Sequence, residues 1–84
     1  MDRMAKALRR LPKPRLREIL KLIDRIESGD VAGIDIVKLR GYQSLYRVRT
    51  GGLRLIVIKK NGNYRAVTLE NRSERTYKDV GKFE

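Results

Sequence analysis

The sequence predicts an α+β fold: an N-terminal helical hairpin packed on a small, mainly antiparallel twisted β-sheet, with a short C-terminal tail. Three observations predict it. Before Gly33, apolar residues recur at three- and four-residue steps, a helical period. After Gly33, β-branched residues, glycines and alternation take over. Within that second half, Gly51-Gly52 and Asn61-Gly62 are two-residue turn signals of the kind that close tight antiparallel hairpins.

The elements follow in order. Asp2 can cap a first helix from Arg3 to Leu11, and Pro12-Lys13-Pro14 ends it. Pro14 suits the first turn of a second helix, where its missing N–H costs nothing, and that helix runs to about Glu27. Leu16, Ile19, Leu20, Ile23 and Ile26 form its apolar stripe, with Arg15, Arg17, Lys21 and Arg25 largely off it on a solvated face. Gly29 is the expected stop. Strands are expected at Ile36–Leu39, Leu45–Thr50, Leu53–Lys60 and Tyr64–Glu70, followed by a polar tail from Asn71.

Eighty-four residues make a single domain, 1–84. There is no cysteine, which excludes disulfides and thiolate metal sites, and no histidine, which removes the usual near-neutral acid/base. The formal net charge is +11, from 21 Lys+Arg against 10 Asp+Glu. Such a charge attracts polyanions and points to nucleic acid or an acidic protein as partner. No apolar run approaches the roughly 18 residues of a membrane span. The first residues show no secretory signal pattern, so a cytoplasmic protein with no membrane partner is expected.

The two turns set two strand registers. With Gly51-Gly52 at the tip, Thr50 pairs with Leu53 and Arg49 lies opposite Arg54, with Arg47 on the same face. With Asn61-Gly62 at the second tip, Arg54 is expected opposite Leu69, with Arg65 further along that face. Like charges directly opposite one another destabilise a sheet. Arg47, Arg49 and Arg54 gathered on one face therefore read as an anion site, where phosphate supplies the missing negative charge. Tyr46, Val48, Leu53, Leu55 and Val57 form the opposite face, toward the helices. Ile56, Ile58, Val67 and Leu69 are expected among the cations and need a cover, for which the tail offers Val80 and Phe83. Arg72, Arg75 and Tyr77 follow the last strand, and a tyrosine beside arginines can stack on a base.

The ordered set Lys38-Leu39-Arg40-Gly41, Tyr46-Arg47-Val48-Arg49, Gly52 to Val57, Asn71-Arg72 and Tyr77 resembles the RelE/ParE toxin superfamily. The stretch from Lys6 to Lys13 looks like that family's first helix, so the similarity runs from about Ala5 to Val80. Family members usually begin with a β-strand ahead of that helix, whereas this sequence enters it almost directly.

The resemblance implies a RelE-type toxin of a type II toxin–antitoxin system, held by a cognate antitoxin. It implies a metal-independent endoribonuclease, without cofactor, that cuts mRNA in the ribosomal A site by attack of the substrate's 2′-hydroxyl on the adjacent phosphate. The family's catalytic positions fall on Arg47, Arg49, Arg54, Arg72 and Tyr77. Arg47 and Arg54 would neutralise the phosphorane, Arg72 would approach the leaving oxygen, Tyr77 would hold a base, and Arg49 would sit near the attacking hydroxyl. Some members carry lysine at the Arg49 position, and a guanidinium is a poor proton acceptor. Lys38, Arg40, Arg65, Arg75 and Lys78 are candidates for further RNA contacts. The alternatives are a ParE-like gyrase poison, which lacks the ribonuclease cluster, and a non-catalytic RNA-binding toxin relative. A ribosomal or nucleoid-type protein fits the charge but not the ordered motifs.

Overall fold

The computed structural model describes residues 3–71. Helix α1 is Arg3–Arg9 and α2 is Lys13–Glu27, followed by strands β1 (Ile36–Lys38), β2 (Leu45–Thr50), β3 (Leu53–Lys60) and β4 (Asn63–Asn71). The strands form one antiparallel sheet in sequence order, β1-β2-β3-β4. This is the α+β architecture the sequence predicts. Among the described residues, no helix is long and apolar enough to cross a membrane.

The helix ends follow from local chemistry. Pro12 is the N-cap of α2 and Pro14 lies in its first turn, where no backbone N–H is required. At the other end Gly29 has φ 89°, its N–H bonds to Ile26 O at 3.1 Å and the Asp30 N–H bonds to Arg25 O at 2.8 Å. That is a Schellman closure, which needs a left-handed residue at the glycine position.

The helices cover one face of the sheet. Ile19 and Ile26 of α2 and Met4 of α1 are buried with Val48, Leu55, Val57 and Leu69, and Ala7, Leu8, Leu22 and Ile23 pack against them. The apolar stripe of α2 differs from expectation at Leu20, which is 43% exposed; Leu22 takes part in the core instead. Tyr46 and Tyr64 meet edge to face on this side, ring centroids 5.5 Å apart.

A second, smaller cluster lies on the other face. Leu39, Leu45, Ile56 and Ile58 are buried there, and Tyr42 and Val67 pack against them. The β1–β2 connection thus covers apolar side chains expected among the cations. Val80 and Phe83 lie outside the described residues.

One register differs from the sequence reading. From the Asn61-Gly62 turn, with φ 53° and 81°, β4 pairs regularly with β3 as far as Val57↔Ala66. A β-bulge then inserts Val67, and pairing resumes at Ile56↔Thr68, Leu55↔Leu69 and Arg54↔Glu70. Leu69 therefore faces the helices and joins the main core, and Glu70 rather than Leu69 lies opposite Arg54. A single inserted residue reverses the facing of everything after it.

Candidate functional site

The Gly51-Gly52 turn positions the site. Gly51 has φ 59°, a left-handed conformation suited to the first residue of a tight hairpin. The register of β2 and β3 is the one the turn predicts, with Thr50↔Leu53, Arg49↔Arg54 and Arg47↔Ile56. Arg15 of α2 reaches this tip and donates from Nη2 to the Thr50 carbonyl. It also lies 3.7 Å from the Glu18 carboxylate. Arg17 and Lys21 are exposed, as expected of a solvated helix face, but Arg15 is a structural anchor.

Two cross-strand rows make up the face away from the helices. The first is Arg49–Arg54–Glu70 and the second Arg47–Ile56–Thr68, each read across β2, β3 and β4. Opposed residues in antiparallel strands hold their Cα atoms roughly 4.5–5.5 Å apart, so the guanidinium groups of Arg49 and Arg54 emerge side by side. Arg49 is exposed, while Arg47 and Arg54 are half-buried. Arg47 Nη1 is buried and has no hydrogen-bond partner among the described residues. Buried guanidinium donors are normally satisfied, so this atom marks a place for an acceptor. Thr68, fully buried, completes the second row with its Oγ1 in the same condition.

The structure brings together Arg47, Arg49 and Arg54. Arg65 shares their face but pairs with Ile58, four positions along β3 from Arg54, or roughly 13 Å. Lys38 pairs with Tyr46 and so belongs to the helix-side face, at the edge of the sheet. Arg40 is exposed in the turn after β1. Arg72, Arg75, Tyr77 and Lys78 lie outside the described residues. An open cleft of about 630 Å³, lined by Glu27, Lys60, Asn61, Asn63, Tyr64 and Arg65, sits at the β3–β4 turn, away from the arginine rows.

No protein-family model matches the sequence, and no curated protein matches it. Solved structures do. The chain superposes on the RelB-RelE antitoxin-toxin complex from Methanococcus jannaschii with a TM-score of 0.68 at 24% identity, covering 82% of this chain and 84% of that one. It superposes on the archaeal RelE-RelB complex from Pyrococcus horikoshii OT3 with a TM-score of 0.66 at 27% identity, covering 90% of this chain and 92% of that one. The chain is RelE-type in fold. The resemblance of the sequence to RelE-type toxins is thereby borne out at the level of the fold.

Within the RelE-type fold, sequence reasoning missed two residues. Glu70 was hidden by the bulge, and Arg15 by its likeness to the solvated charges around it. The signal for the bulge was present: an unbroken register would turn Thr68 and Glu70 toward the helix-covered core, and buried polar groups there are costly.

Proposed function

We propose that the chain is the toxin of a toxin–antitoxin pair and an endoribonuclease that cleaves mRNA in the ribosomal A site. The observation that carries this reading is the arginine face, Arg47, Arg49 and Arg54, with Arg47 Nη1 buried and without a partner among the described residues, in a fold shared with two toxins solved in complex with antitoxins. A phosphate over this face would accept from several guanidinium donors at once. Donors fixed in advance stabilise the charge that develops on the phosphorane, without reorganisation during the reaction. Arg47 and Arg54 take that role, and the positive charge they supply makes the chemistry independent of a metal. Arg72 and Tyr77 complete the site from the residues after β4. Arg40 and Arg65 hold flanking phosphates; Lys38, facing the other way, is left out. Arg75 and Lys78 would extend the RNA contacts.

A cognate antitoxin with an acidic or amphipathic segment would cover the arginine face in the inactive complex, and the pair would reside in the cytoplasm. The test is incubation of the purified chain with ribosomes carrying a defined mRNA. The expected products are a 2′,3′-cyclic phosphate and a 5′-hydroxyl, and Arg54→Ala and Arg72→Ala each reduce cleavage by two orders of magnitude or more, on the order of an oxyanion-donor loss. Absence of cleavage, with gyrase–DNA complexes trapped instead, would overturn the reading. Survival of cleavage in both variants would overturn the site.

A further inference from the structure

The arginine face supplies positive charge, but its guanidinium groups cannot take a proton, because they stay protonated throughout the accessible pH range. Glu70 is the one acidic residue within the four strands, and the bulge at Val67 turns it onto this face. It lies directly opposite Arg54 and is 8% exposed. Directly opposed side chains have Cβ atoms about 4.5–5.5 Å apart, so the Glu70 carboxylate and the Arg54 guanidinium are within reach of one phosphodiester. Among the described residues, the charged groups that face Glu70 are Arg54 and, beyond it in the same row, Arg49. The helices lie on the opposite side of the sheet, so the charges of α1 and α2 do not face it.

We infer that Glu70 is the proton acceptor of the cleavage proposed above, and the inference rests on that reading. The 2′-hydroxyl proton passes to the Glu70 carboxylate as the 2′-oxygen bonds to phosphorus. The P–O5′ bond breaks, and the 5′-oxygen leaves with its electron pair and takes a proton from water. The hydroxide so formed recovers the proton from Glu70, and the carboxylate is regenerated. Attack from the β4 side places the leaving oxygen on the β2 side, over Arg49. Arg49 then serves the leaving oxygen rather than the attacking hydroxyl, the reverse of the role its family position implies.

The test separates chemistry from binding. Single-turnover cleavage of ribosome-bound mRNA is measured alongside affinity for the same mRNA carrying a 2′-deoxy nucleotide at the scissile position. Glu70→Gln is expected to cut at least about 100-fold more slowly, the scale of a lost general base. It is expected to bind the uncleavable RNA as tightly as the wild type or more tightly, because a negative charge beside the phosphate is gone. Acetate is expected to restore cleavage to Glu70→Ala in proportion to its concentration, but not to Glu70→Gln, which fills the space. Glu70→Asp, which keeps the charge, is expected to fold, bind normally and cut at least tenfold more slowly; it decides the matter if Glu70→Gln does not fold. Cleavage by Glu70→Gln within threefold of wild type would overturn the inference. So would parallel loss of binding and cleavage without acetate rescue, which would make Glu70 a mere support for Arg54. A wild-type chain that makes no cut on any mRNA would instead overturn the ribonuclease reading itself.

Discussion

The Arg15 guanidinium on α2 donates to the Thr50 carbonyl at the tip of the β2–β3 hairpin. Thr50 is the neighbour of Arg49, so this contact couples the helical layer to the strand that presents the site. Replacing Arg15 with Met removes a charge-assisted hydrogen bond at a partly buried site. Urea denaturation is expected to show a loss of about 1–2 kcal/mol, and amide exchange at Gly51 and Gly52 should accelerate while the Asn61-Gly62 turn is unaffected.

Gly51 lies against the same guanidinium. It has φ 59°, and a Cβ built there would meet Arg15 Nη2 at 2.6 Å. Gly51→Ala is expected to cost about 1–2 kcal/mol, from the left-handed backbone and displacement of Arg15. In the Arg15→Met background the cost should shrink, since only the backbone component is left. A double-mutant cycle measures this coupling.

Leu69 is 7% exposed and belongs to the core under the helices. Leu69→Ala is expected to destabilise by about 2–4 kcal/mol. Val67→Ala, at the half-buried bulge residue, should cost about 1 kcal/mol in the same denaturation experiment.

Glu27 of α2 engages the outer edge of β4: the Ala66 N–H donates to a Glu27 carboxylate oxygen at 3.0 Å. Glu27→Ala is expected to raise amide exchange at Ala66, with a stability change within about 1 kcal/mol because the site is exposed. Glu27→Gln keeps an acceptor oxygen and should retain the protection.

The arginine rows also predict a salt dependence. For single-stranded RNA, each lost phosphate contact lowers the steepness of the fall of log K with log salt by about 0.7. Arg47→Ala, Arg49→Ala and Arg54→Ala should each lower it by that amount, and Lys38→Ala should leave it unchanged.

The fold was legible where local chemistry decides it. Proline and glycine mark the ends of α2, and Gly51-Gly52 alone fixes which residues of β2 and β3 face each other, so the Arg47, Arg49 and Arg54 grouping could be read from spacing. The pairing of β4 was legible only as far as Ala66. A turn sets register near itself, and nothing in Asn61-Gly62 announces an extra residue further along. The polarity of Thr68 and Glu70 was the available sign, since neither suits a core under two helices. Arg15 was illegible for another reason: its partner is a backbone carbonyl distant in sequence, and composition cannot distinguish it from Arg17 or Lys21. Leu20 and Leu22 exchange places because an apolar stripe is wider than the contact it makes.

The bulge at Val67 has a genetic consequence. Deleting that one codon would remove the extra residue and leave Thr68, Leu69 and Glu70 still opposite Ile56, Leu55 and Arg54 in an unbroken ladder. An in-frame deletion here would straighten the strand without turning its end over. The strand carries one residue beyond its pairing with β3, and both the interior and the anion-binding surface would outlast its loss.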